Sequence, residues 1–179
     1  MTSQVTDRVK YKGKNYELIG SSRGELLFNI FKYGLNPAMM HTACYRGFYC
    51  GYELTEEGLF LQKLTVYDES NKYPEINGVK PKIREYEAVY NGLKLKIRLS
   101  GRFRIARGFI QKYYIHMGYQ KASAFTSVID FELSRGRLSG IKDRSAEAKK
   151  LRGLYKKFYD KGNVIANIET AFSLDMDII

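Results

Sequence analysis

The chain has 179 residues, 44% of them hydrophobic and 27% charged, with only three prolines, a composition that excludes a disordered or fibrous protein. Its net charge is +11. The first residues, MTSQVTDRVKYKGKN, contain no apolar leader, and no run approaches 18 apolar residues, so a cytosolic protein with no membrane partner is expected, folded as one domain over 1–179.

Period-two hydrophobicity and turn residues predict a mainly β (α+β) fold, an antiparallel meander of about nine strands. Residues 8–12 and 16–19 flank Gly13, Lys14 and Asn15 as a first hairpin, and 44–54 and 59–66 flank Thr55, Glu56, Glu57 and Gly58 as a second. Residues 69–82 form a polar, proline-containing loop. Residues 85–90 and 93–99 flank Asn91-Gly92, a strong two-residue hairpin signal because both positions accept positive φ. Residues 102–106 give the next strand, and 125–133 and 138–142 flank Arg135-Gly136.

Two stretches carry helical spacing. Phe109, Ile110, Tyr113, Tyr114 and Met117, followed by Gly118, predict a short helix near 108–117. Leu151, Leu154, Tyr155 and Phe158 predict an amphipathic helix near 145–161, with Ser145 as its cap. Residues 164–168 then suggest a last strand before a short acidic tail. This order is similar to that of lipocalin-like barrels, which close and hold a small apolar ligand. An open twisted sheet wrapped on the C-terminal helix is the alternative.

Charge is unevenly spread. Residues 88–129 hold eight basic residues and no acidic one. In GLKLKIRLSGRFRIARG, Lys94, Lys96 and Arg98 alternate with leucines and isoleucine, and Arg102, Arg104 and Arg107 follow. Such a row, helped by Lys149, Arg152 and Lys156, suits the phosphates of RNA or DNA, or an acidic protein. The opposing reading is a solvated strand face, or lysines guarding an edge.

HTACYRGFYCGYEL places His41, Cys44, Arg46 and Cys50 close together. Cys44 is a candidate nucleophile only with a base and a depressed pKa, and in one continuous strand His41 points to the opposite face. Cys44 and Cys50 would lie roughly 20 Å apart in such a strand, so both are expected as free thiols. His41 and His116, the two histidines, are a candidate acid–base pair for metal-independent RNA cleavage if the fold brings them together. Asp130 and Glu132 share a strand face and read equally as paired carboxylates or as balance for neighbouring cations, and no reaction is assigned to them. The pattern calls for no metal and no cofactor: there is no C-x-x-C, phosphate-binding glycine loop or dinucleotide fingerprint.

The stretches NPAMMHTACYRGFYCGYEL, ARGFIQKYYIHMGYQ and IKDRSAEAKKLRGLY resemble those of a group of bacterial proteins of similar length with no assigned activity. The resemblance implies a bacterial source and carries no site residue. The leading expectation is a non-catalytic protein whose basic surface binds a polyanion. A ribonuclease and a carrier of a small apolar ligand are the alternatives.

Overall fold

A computed structural model describes residues 2–22, 26–161 and 164–176. Nine strands form one sheet: β1 (Arg8–Tyr11), β2 (Lys14–Ser21), β3 (Phe48–Thr55), β4 (Gly58–Val66), β5 (Lys82–Arg84), β6 (Glu87–Lys96), β7 (Gly101–Phe109), β8 (Phe125–Ser134) and β9 (Arg137–Asp143). Their order across the sheet is β5-β6-β4-β3-β1-β2-β7-β8-β9. All pairs are antiparallel except β1 with β3. The expected meander is therefore cut in three places: β2 and β3, β4 and β5, and β6 and β7 do not pair, while β2 pairs with β7 and β4 with β6. The long segment between β2 and β3 supplies the crossover that a parallel β1–β3 pair needs.

The sheet is not closed: β5 and β9 remain its edges. It nevertheless coils strongly. Residues 97–100 carry the chain straight from β6 to β7, which lie far apart in the sheet order. The Ile97 N–H donates to the Leu59 carbonyl (2.9 Å), and the Gly136 N–H donates to the Leu99 carbonyl (2.8 Å). The 97–100 segment thus bridges one end of the coil. The concave side is filled with side chains, including Val9, Leu18, Leu61, Leu64, Leu93, Phe103 and Phe131. Cations at 82, 84, 137 and 142 stand on the two edge strands, where they deter pairing with a second chain.

Hairpin chemistry explains most turns. Lys12 and Gly13 take φ of 47° and 73°, and Arg135 and Gly136 take 50° and 76°, the left-handed pairs that match the strand twist. Asn91-Gly92 does not make the expected hairpin. It lies inside β6, where the register to β4 jumps between Leu61 and Lys63. β4 itself is bulged against β3, between Gly51 and Tyr52. Its inward residues are Leu59, Leu61, Leu64 and Val66, an odd step in mid-strand. β6 must make a matching irregularity to keep Tyr90 and Leu93 both inside. The left-handed residues Gly92 (φ 71°) and Lys94 (φ 47°) provide it. The turn before β6 falls instead at Glu85, with φ 50°.

The helices also differ from expectation. Over 108–117 there is only a 3-10 turn, Gln111–Tyr113, because β7 runs on to Phe109. The 145–161 segment breaks into α1 (Ser145–Lys150) and α2 (Leu154–Lys161) around Gly153 (φ 81°). Ser145 does not cap: its hydroxyl accepts from the Val128 N–H (3.0 Å), tying the segment to β8. The expected strand at 164–168 lies in a helix, α3 (Val164–Phe172). α1 covers a smaller apolar cluster on the outer side of β7 and β8, containing Ala106, Phe125, Val128 and Ala148. No helix among the described residues is long and apolar enough to cross a membrane.

Candidate polyanion groove

The cations of the central run separate into distinct surroundings. At the end of β6, Lys94, Lys96 and Arg98 line a groove of about 780 Å³ together with Lys32. Its opposite wall is the segment around the 3-10 turn Ile30–Tyr33. There Phe28 and Tyr33 stack with ring centroids 5.2 Å apart and planes at 29°. No carboxylate is among the described residues lining the groove. Asn77, which also lines the groove, donates through its side-chain amide to the Leu93 carbonyl (2.7 Å), and the Tyr90 hydroxyl donates to the Pro74 carbonyl (2.7 Å). The Lys96 ammonium lies 5.7 Å from the Phe60 ring centroid. Lys94 borders a second hollow as well, one that includes Glu53, Glu56 and Glu57.

Arg104 has a different fate. It is 8% exposed, its Nε and Nη2 donate to the two carboxylate oxygens of Asp130 (2.6 and 2.9 Å), and Nη1 donates to the Met176 carbonyl (2.9 Å). Register places Arg104 directly opposite Asp130. Arg144 lies 4.0 Å from the same carboxylate and pairs with Glu147. This cluster borders a cleft of about 210 Å³ that Arg102 also lines. Arg102 is exposed, whereas Arg107 stands beyond the core with its guanidinium 5.7 Å from the Tyr16 ring centroid. Lys149 is exposed on α1. An Arg152 Nη donates to the Phe125 carbonyl (3.4 Å), and the Lys156 ammonium to the Lys112 carbonyl (3.3 Å). The structure brings Lys94, Lys96 and Arg98 to one groove; of the remaining six, Arg102 and Arg104 share the cleft.

The segment before β3 is not the continuous strand expected for 44–54. It turns at His41–Cys44, the Cys44 N–H donating to the His41 carbonyl (2.8 Å). The bend that a His41–Cys44 pair requires is therefore present, yet the side chains have other partners. His41 Nδ1 accepts from the Ala43 N–H (3.2 Å), and the Cys44 thiol donates to the Phe48 carbonyl (3.5 Å). Burial pushes the Cys44 thiol up and the Cys50 thiol well up, which keeps both protonated at neutral pH. Both are free cysteines. Arg46 is engaged by Asp7 at 2.6 Å and donates through Nε to the Phe48 carbonyl (2.7 Å). Burial raises the Asp7 carboxyl above its ordinary value, against the pull of Arg46 and of the Cys50 N–H. His116 packs edge-on against Tyr159, with centroids 5.9 Å apart. No hydrogen bond or ring contact joins His41 to His116 among the described residues. Nor does any cluster of three His, Cys, Asp or Glu side chains there suit a metal ion.

Lys32, Phe28 and Tyr33 are the groove residues that pattern reading missed. Residues 22–40 show neither helical nor strand periodicity, and the only signal was the mixed aromatic and basic run FNIFKY. No family model, curated protein or solved structure matches this chain.

Proposed function

We propose that this protein is a non-catalytic binder of single-stranded nucleic acid and that the β6 groove is its contact surface. The observation that carries the reading is four cations, Lys32, Lys94, Lys96 and Arg98, lining a groove without a described carboxylate beside the Phe28–Tyr33 stack. Phosphates are attracted by the cations, and the accessible side of Tyr33 offers an unpaired base a stacking surface. Arg104 drops out of the contact set because Asp130 neutralises it.

The test is fluorescence anisotropy of labelled single-stranded RNA and DNA oligonucleotides across a salt series, with intact oligonucleotide verified in EDTA. Binding that weakens linearly in log salt, and loses slope in the triple variant Lys32→Glu, Lys94→Glu, Arg98→Glu, supports the reading. It is lost if neither oligonucleotide binds at low salt, if the triple variant binds as wild type, or if an acidic peptide alone binds. RNA cleavage in EDTA would favour the histidine-pair ribonuclease instead.

A further inference from the structure

We infer that the outer face of the sheet carries a separate site for a phosphate monoester, built around Gly51. β1, β3 and β4 lie side by side, with Arg8 opposite Gly51 and Gly51 opposite Lys63. On β3 the residues Phe48, Cys50, Tyr52 and Leu54 are buried in the core, so Tyr49 and Gly51 face outward. The bulge in β4 is what brings Lys63 to the position beside Gly51.

Gly51 is not needed for its backbone, since it is absent from the left-handed residues. What its lack of a side chain does is leave space. A Cβ at this position would approach the Lys63 Cβ to 3.3 Å. The result is a hollow of about 330 Å³ with Arg8, Lys63, His41 and Tyr49 in its lining and no carboxylate among its described lining residues. At about 4.8 Å per strand, the Arg8 and Lys63 backbones stand roughly 10 Å apart, a span that two long cationic side chains close around one tetrahedral anion. Neither cation forms an ion pair among the described residues. The Glu17 carboxylate, on Arg8's cross-strand neighbour in β2, accepts from the hydroxyl of Thr6 (3.3 Å), itself a lining residue, and Arg8's charge acts on it, so Glu17 stands at the rim of the hollow.

His41 supplies a further donor. Its Nδ1 accepts from the Ala43 N–H, which assigns the proton of the neutral ring to Nε2. Two full cations and a neutral N–H match a dianion with several oxygens better than a carboxylate with one charge. The hollow is larger than a phosphate group, and the Tyr49 ring offers the remaining wall to the organic part of an ester.

The experiment is a titration of the full chain with phenyl phosphate, inorganic phosphate and benzoate, followed by nuclear magnetic resonance of ligand and protein. Phenyl phosphate is expected to bind most tightly, and the double variant Arg8→Gln, Lys63→Gln to lose at least roughly tenfold in affinity, as for loss of charge-assisted hydrogen bonds. These positions are exposed, so the double variant should melt as wild type does; Gly51→Val, which fills the hollow, is a second route to the same loss. Lys94→Gln, Arg98→Gln should bind phenyl phosphate normally, which separates this site from the nucleic-acid groove. The inference is overturned if phenyl phosphate does not bind, if the Arg8, Lys63 variant binds it as wild type does, or if benzoate binds equally well.

Discussion

The two halves of the run from Gly92 to Gly108 carry three cations each, yet Arg104 in the second half is buried while Lys94 and Arg98 in the first are exposed. On β6, Lys96 faces Phe60 across the ladder, so it has no acidic neighbour in register on β4. On β7, Arg104 faces Asp130, and the guanidinium is consumed by a bidentate ion pair beneath the C-terminal segment. A carboxylate opposite is not enough by itself: Arg102 faces Glu132 and stays exposed, so whether a strand cation is available to a ligand depends on the opposing residue together with burial. The local pattern of charges does not contain that information.

The largest expected effect sharpens this contrast. Arg104→Met leaves the buried Asp130 with only Arg144, 4.0 Å away, in place of its bidentate partner, which costs up to about 3–5 kcal/mol of stability, whereas Arg98→Met on the exposed groove should change it by less than about 0.5 kcal/mol. Urea unfolding of the two variants measures both. If Arg104→Met is no more destabilising than Arg98→Met, the structural role assigned to Arg104 fails. The double variant Arg104→Met, Asp130→Leu should recover much of the loss, because an apolar pair needs no desolvation of charge.

Part of this was legible beforehand. The acid-free stretch ends at Ile129, and Asp130 is the first carboxylate after it. Most strands and the two turns with left-handed pairs were readable because local chemistry fixes them, whereas β5 and the unbroken β6 were not. The sheet order was not, since the β2–β7 and β1–β3 pairs join segments far apart in sequence through contacts that leave no periodic trace. Asn91-Gly92 misled for a related reason: its preference for positive φ is real, but a bulge needs that conformation as much as a hairpin does. The groove was half legible, its β6 wall from alternation and its Lys32 wall not at all.

A second contrast lies between a buried cation and the free ones. Lys121 is 4% exposed and its ammonium donates to the carbonyls of Thr170 (2.7 Å) and Ser173 (2.9 Å) at the end of α3. Burial pulls its pKa down to about 8, with Asp175 opposing, while Tyr155 beside it and Tyr90 in the main core are pushed up to about 12 by burial. Between pH 8 and the ordinary lysine value the unfolded chain binds the extra proton, so this group's contribution to stability grows as pH rises. The two tyrosines act oppositely: their contribution is present below the ordinary value of 10 and fades as pH climbs towards 12. The Cys44 and Cys50 thiols, raised by burial from an ordinary value of 9.0, add to the fall, so stability measured by urea unfolding should rise from pH 8 to about 9 and fall beyond it. Lys121→Met should remove the rise and leave the fall; a rise that survives in this variant contradicts the assignment to Lys121.

The smallest effect is the one that isolates binding from folding. Lys94 holds φ at 47° within the β6 irregularity, a conformation that asparagine tolerates better than most side chains. Lys94→Asn keeps the backbone device and deletes one charge from the groove. Stability should move by no more than about 0.5 kcal/mol, while the salt slope of oligonucleotide binding should fall by about one phosphate contact. An unchanged slope means that Lys94 faces the hollow bordered by Glu53, Glu56 and Glu57 in solution, leaving Lys32, Lys96 and Arg98 as the groove's cations. A large loss of stability would instead mean that the lysine stem, and not the left-handed backbone, holds the irregularity in place.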